Sequence, residues 1–348
     1  MIDALAPAAL PCRPKEVDEF LSRPTPGVLE TLARTPGPVL VLGASGKMGL
    51  HLCAMLRRGF EALGRSERVV AVSRFSTLRG REDFERFSVE TIACDLSHGA
   101  ELASLPDAPT VFFLAGVKFG TASNPELLRQ LNAEMPRKVA RRFAGARIVA
   151  FSSGCVYPFV APATGGATEA TPVEPRGDYA ASCVARETAF IDASQRDGTP
   201  VALVRLNYAV EFRYGVLVDI AQKVRLGEEI DLTTGHVNVI WQADAVAHAV
   251  QTLALAATPA APVNITGPAV LSVRTLAERF GALFGRAPRF VGCEAGTAWL
   301  NNAAYSHARF GPPPTAVDDM IAWTAAWLSA TGETWHKPTG YERRDGRF

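Results

Sequence analysis

Three glycines in the stretch GASGKMG, Gly43, Gly46 and Gly49, carry the first chemical signal in this chain. They follow the apolar run PVLVL and open the helix-period segment HLCAML. In that setting glycines let backbone N–H groups and a helix N-terminus come close to a pyrophosphate. Ser45, Lys47 and Met48 complete the turn, whose spacing is GxxGxxG. A second apolar run, VVAVSRF, leads into Ser73 and Arg74. An acidic residue at that place would hold the ribose diol of NAD. A serine and a guanidinium would instead accept a 2′-phosphate. These residues predict an NAD(P) cofactor, with NADP favoured over NAD.

The elements that must position them alternate along the chain. Short apolar runs at VVAVSRF, TIACDL, TVFFLAG and RIVAFSSG read as strands, separated by helical patterns such as PELLRQLNAEMPRKVARRF. Continuous apolar strands between helices imply a parallel sheet covered on both faces. The expected fold is α/β: a doubly wound, Rossmann-like parallel sheet over residues 38–205, with 236–265 returning to it. Residues 206–235 and 266–348 are expected to form a smaller C-terminal α+β substrate lobe. Its last stretch, TWHKPTGYERRDGRF, is polar and reads as a tail draped over the surface. Residues 1–37 form a proline-punctuated extension in which VDEFL and GVLETLA read as helices packing on the body.

Composition narrows the partners. The 348 residues are 48% hydrophobic and 20% charged, with a net charge of +1. That balance argues against nucleic acid and against an anionic membrane, and no apolar run approaches the length of a bilayer span. The start, MIDALAPAALPC, has neither the basic leader nor the apolar length of a signal peptide. The six cysteines are scattered without CxxC spacing, and the histidines lack metal-ligand spacing. A cytoplasmic protein without a metal, taking a small-molecule substrate, is expected.

In order along the chain, these segments resemble the extended short-chain dehydrogenase/reductases of the NAD(P)-dependent epimerase/dehydratase family, from about Pro38 to Phe310. GASGKMG is similar to the family's phosphate loop. Asp95 and Leu96 match the pair that contacts adenine, and Leu114, Ala115 and Gly116 the strand end beneath the cofactor. Asn132 falls where the next helix carries an asparagine. FSSGCVYP resembles the Ser-Ser-x-x-Val-Tyr segment, which makes Ser153 the match to the catalytic serine or threonine, and Tyr179 follows 26 residues later. VRLNYAV, NVIWQADAV and VNITGP resemble later family segments. The resemblance implies that Tyr179 is both acid/base and cofactor neighbour. It places Ser153, Cys155, Asn207 and Tyr208 on the substrate and implies a homodimer through helices around 125–143 and 179–194.

Three departures matter. Cys183 stands where the family carries the lysine that acidifies the tyrosine. Gly154 and Cys155 stand where the family's 4,6-dehydratases carry Asp-Glu, so that elimination is not expected. Asn238 stands near the place of an arginine that holds a nucleotide sugar's diphosphate, which points to a smaller sugar or sugar acid. Helical spacing puts Tyr179, Cys183 and Arg186 on one stripe. Arg186 can therefore replace the missing cation, unless it is paired with Glu187 or Glu211. Lys118, beyond the fourth strand, is a second candidate, and Cys183 itself reads as a packing residue. Two functions remain open. One is an oxidoreductase or epimerase acting on a sugar-type hydroxyl. The other is a non-catalytic NAD(P)-binding sensor or scaffold that has lost its lysine.

Overall fold

The computed structural model describes residues 10–76, 78–117 and 124–346. Seven strands form one sheet: β1 (Val39–Leu42), β2 (Val69–Ser73), β3 (Glu90–Ala93), β4 (Thr110–Phe113), β5 (Arg147–Ser153), β6 (Val201–Leu206) and β7 (Ala261–Ile265). All neighbours pair in parallel, in the order β7-β6-β5-β4-β1-β2-β3. The inner strands β1 and β4 are buried at every residue, which is why they read as unbroken apolar runs. The edge strand β3, Glu-Thr-Ile-Ala, is partly exposed.

Helices cover both faces. Pro26–Ala33, Gly49–Ala62 and Gln242–Gln251 pack on one, Met135–Arg142 and Gly177–Asp197 on the other. A separate core joins the helices Val216–Leu226, Val273–Phe284 and Val317–Ala330, and Val17 and Leu21 of the N-terminal extension reach into it. Among the described residues no helix is long and apolar enough to cross a membrane. Because the sheet is parallel, the carboxyl ends of β1, β2, β4, β5 and β6 share one edge. The strand order reverses between β1 and β4, and a crevice opens there.

The tail departs from its polar reading. Tyr341 is 1% exposed and Thr339 3%. The Thr339 N–H and hydroxyl both donate to Asp219 Oδ2, at 2.8 and 2.6 Å. Lys223 pairs with Glu342 at 3.1 Å, and Arg344 donates to Thr297. A few irregularly spaced side chains are inserted one at a time between polar anchors. Such a segment has no hydrophobic period to read.

Asp244, on the helix Gln242–Gln251, is 5% exposed and accepts the Thr315 N–H at 3.1 Å. Burial pushes its carboxyl up to about 6. A folded-state pKa above the unfolded value contributes stability that is complete below about pH 4 and lost as pH rises through 6. Asp244→Asn is therefore expected to raise the melting temperature at about pH 8, by a gain on the order of 1–3 kcal/mol, and to change nothing near pH 4. Thermal unfolding at the two pH values checks this.

Candidate active site

The crevice holds a cavity of ≈ 760 Å³. β1 runs straight into the glycine turn, and Gly43 takes φ +83°, where a Cβ would lie 2.5 Å from the Ala115 backbone. Only glycine lets the turn pass this close to the end of β4. The helix Gly49–Ala62 follows with its N-terminus on the cavity. Gly43, Ser45, Gly46, Lys47, Met48 and Gly49 all line the space. So do Ser73, Arg74, Asp95, Leu96, Leu114, Ala115 and Gly116. The far wall carries Ser153, Cys155, Tyr179, Asn207 and Tyr208.

At the adenine end, Ser73 Oγ is bonded to Ser45 Oγ at 2.6 Å, and Arg74 sits 3.8 Å from Asp95 with its guanidinium half exposed. Asp95 accepts the N–H and hydroxyl of Ser97, at 2.9 and 2.7 Å. Burial works against its charge, but these bonds and Arg74 hold its carboxyl below the usual range. Lys47 lies with Nζ 3.1 Å from the centre of the Tyr214 ring. A glycine-walled turn, a helix start and a cleft running on to Tyr179 fit a dinucleotide.

At the other end, β5 and β6 place Ser153 opposite Leu206 in register, with Asn207 and Tyr208 just beyond. Tyr208 has φ +41°, a strained value for a residue with a side chain. Tyr179 lies in the first turn of the helix Gly177–Asp197, which Asn132 ties down through Ser182. Asn132, in a π-helical turn, accepts the Val117 N–H and donates to Val117 O and Ser182 Oγ, each at 2.9 Å. Burial pushes the Tyr179 phenol well up, the Cys183 and Cys155 thiols add to this, and Arg186 pulls it down.

Arg186 is 6% exposed and lies behind the cavity wall. Its guanidinium donates to Phe151 O at 3.1 Å, and a Cβ on Gly116 would come within 2.1 Å of it. Both carboxylates that the sequence offers as its partners are taken. Glu187 is held by Arg205, at 2.7 and 2.9 Å, and by the Ser152 hydroxyl at 2.6 Å. Glu211 is held by Arg213 and by the Trp335 indole N–H. Arg186 has no carboxylate partner among the described residues. Of the two alternatives for Arg186, the pairing with Glu187 or Glu211 is not the one found, because Arg205 and Arg213 hold those carboxylates. Lys118 lies outside the described residues.

Sequence patterns missed Tyr214, Gln242, Trp299, Lys337 and Thr339, all of which line the cavity. Lys337 and Thr339 come from the tail read as a surface drape. The sequence profile of the NAD dependent epimerase/dehydratase family matches residues 39–263, more than half of the chain. The chain belongs to this family.

No curated protein matches the chain. Solved structures match over most of its length. MoeE5 in complex with UDP-glucose and NAD is 20% identical, with a TM-score of 0.68 over 85% of this chain and 100% of that one. The dTDP-glucose 4,6-dehydratase DesIV of Streptomyces venezuelae, as a double mutant, is 17% identical, with a TM-score of 0.72 over 85% and 98%. The UDP-glucose 4-epimerase of Thermotoga maritima is 16% identical, with a TM-score of 0.69 over 85% and 99%. At such identities the likeness establishes the Rossmann-like fold, and the family match makes this chain an enzyme of the epimerase/dehydratase family.

Proposed function

We propose that this enzyme is an NAD(P)-dependent oxidoreductase or epimerase acting on a hydroxyl of a sugar or sugar-derived small molecule. The observation that supports the reading is that Ser153 and Tyr179 both line the cavity that the glycine turn also lines. Bound there, the dinucleotide supplies the acceptor or donor of a hydride. Ser153 Oγ orients the substrate hydroxyl, and Tyr179 takes or returns its proton. Arg186, buried and without a carboxylate partner among the described residues, supplies the charge that the lysine supplies elsewhere in the family. A fixed cation favours the phenolate and opposes the effect of burial. Cys155, Asn207 and Tyr208 face the substrate.

The nucleotide sugars named for MoeE5 and the epimerase support a sugar-type substrate. Asn238 favours one without a nucleotide. Its Nδ2 donates to Ala269 O at 3.2 Å and its Oδ1 accepts the Asn301 N–H at 2.8 Å, so both ends are engaged within the protein and neither carries the charge of an arginine. NADP is the preferred cofactor in this reading, because Arg74 stands on the cavity rim after β2. Arg74→Ala is expected to weaken NADP binding by about tenfold and to leave NAD binding unchanged. Titration with both nucleotides checks this, and tighter NAD binding by the wild type would overturn the preference. A homodimer through the helices of 125–143 and 179–194, located in the cytoplasm, belongs to the same proposal.

The deciding experiment incubates the protein with NAD or NADP and a panel of sugars and sugar acids. Nicotinamide absorbance reports net oxidation or reduction, and NMR of the recovered sugar reports epimerisation. Cys183 in place of lysine favours one other reading, a non-catalytic sensor or scaffold. Cofactor binding with no change in any sugar would put that reading first.

A further inference from the structure

Gln242 is the first residue of the helix Gln242–Gln251 and lines the cavity although it is only 2% exposed. Two neighbours bring it there. Trp241 pairs with Val210, just past Asn207 and Tyr208, and the helix packs on Gly49–Ala62, the helix that follows the glycine turn. The amide thus stands where the phosphate loop's helix meets the substrate wall. Its Nε2 lies 2.6 Å from His51 Nδ1, and His51 Nε2 lies 2.9 Å from Asp18 Oδ1. His51 and Asp18 are buried, so this row of carboxylate, imidazole and amide is closed to solvent up to the cavity.

The row dictates which way the amide faces. An ionised carboxylate only accepts hydrogen bonds, so Asp18 keeps the His51 proton on Nε2. A neutral imidazole protonated there has a bare Nδ1, which accepts. Gln242 therefore donates its Nε2–H to the ring, and Oε1 is the part of the amide left to the cavity. That oxygen has no hydrogen-bond partner among the described residues and is not one of the polar atoms sealed from solvent. A doubly protonated ring would impose the reverse, with Nδ1–H claiming Oε1 and the NH2 group facing the cleft. Burial holds the His51 pKa below the ordinary histidine range, with Asp18 opposing and Arg79 and Arg213 adding to the fall, which keeps the ring neutral.

We propose that Gln242 is a binding residue whose Oε1 accepts a hydroxyl of the ligand in the cleft, and that His51 and Asp18 are positioning residues that fix its amide in that sense. This rests on the reading of the cavity as the site of a dinucleotide and a sugar. Both ligands carry hydroxyls, on the ribose in one case and on the sugar ring in the other. An amide oxygen favours such donors and disfavours the oxygens of a phosphate or carboxylate, which have no proton to give. Through Asp18 the N-terminal extension thus reaches the cleft by way of two side chains.

Gln242→Met keeps the length of the side chain and removes the acceptor. It is expected to weaken binding by about five- to tenfold, the usual contribution of one hydrogen bond. Weaker NAD or NADP in titration assigns the oxygen to the ribose, and a higher KM for the sugar alone assigns it to the substrate. No loss in either overturns the proposal. His51→Leu, which releases the amide, should give the same loss, and His51→Gln should restore binding, because a glutamine amide can donate to Asp18 and accept from Gln242. If His51→Gln binds as poorly as His51→Leu, the positioning role falls. Should His51→Leu fail to fold, NMR of the ring nitrogens in the wild type replaces it: His51 is expected neutral with its proton on Nε2, and an Nδ1–H or doubly protonated ring at neutral pH overturns the arrangement. The two readings fail separately. A wild type that binds no dinucleotide and turns over no sugar removes the parent reading, whereas binding and turnover untouched by Gln242→Met remove this contact alone.

Discussion

Tyr179→Phe is expected to lower turnover by about a thousandfold, which corresponds to about 4 kcal/mol of transition-state stabilisation. The substitution removes one hydroxyl from a half-buried ring and leaves the fold and the glycine turn untouched, so dinucleotide affinity should stay nearly unchanged. Affinity followed by protein fluorescence and turnover followed by nicotinamide absorbance separate the two. Equal loss of both would mean that Tyr179 holds the cofactor and performs no proton transfer. Undiminished turnover would remove it from the chemistry altogether.

The second large effect is expected at Asp18. This carboxylate of the N-terminal extension is 2% exposed. It accepts from Arg79 at 2.7 Å, Arg213 at 3.1 Å, Arg86, and His51 Nε2 at 2.9 Å. Gln242 Nε2 meets His51 Nδ1 at 2.6 Å, which fits a neutral imidazole donating to Asp18. Trp335 of the tail lies 5.0 Å from the Arg79 guanidinium and 4.9 Å from that of Arg213. One carboxylate therefore joins the extension, the helix behind the glycine turn, the loop after β2 and the lobe.

Removing that charge leaves buried cations uncompensated, and Asp18→Asn is expected to destabilise the fold by about 3–5 kcal/mol. Burial alone would raise the Asp18 pKa, but His51, Arg79 and Arg213 overcome it and hold the carboxyl well below its usual range. A depressed carboxylate contributes stability above its unfolded pKa and loses it as pH falls below about 4. The gap between wild type and Asp18→Asn should persist through mildly acidic pH and close only below that point. Urea unfolding across a pH series measures it. A gap under about 1 kcal/mol at neutral pH would mean that the cluster behaves as a solvated surface network.

These two residues differ in how far the sequence disclosed them. Tyr179 was legible because the order of the segments around it carries the family pattern. Asp18 was not, because its partners lie at positions 51, 79, 86 and 213, and no local spacing records a meeting of four segments. Arg186 falls between. Helical spacing put it on the same stripe as Tyr179 and Cys183, but whether it was free depended on Glu187. One position on, that side chain turns to another face and is claimed by Arg205 of β6.

What the chain determined by itself was local. Apolar runs made strands, glycines at Gly43, Gly46 and Gly49 made a turn, and the alternation made a parallel sheet whose strand ends share one edge. Short-range sterics and burial set these outcomes, so short windows of sequence report them. Only the tertiary structure decided which charges were spent. It put the tail's Lys337 and Thr339 into the cleft, gave Glu187 to Arg205, and used both ends of Asn238 internally. Such pairings depend on which segments arrive at one place in three dimensions, and a buried polar group bonds to whatever partner packing brings within reach.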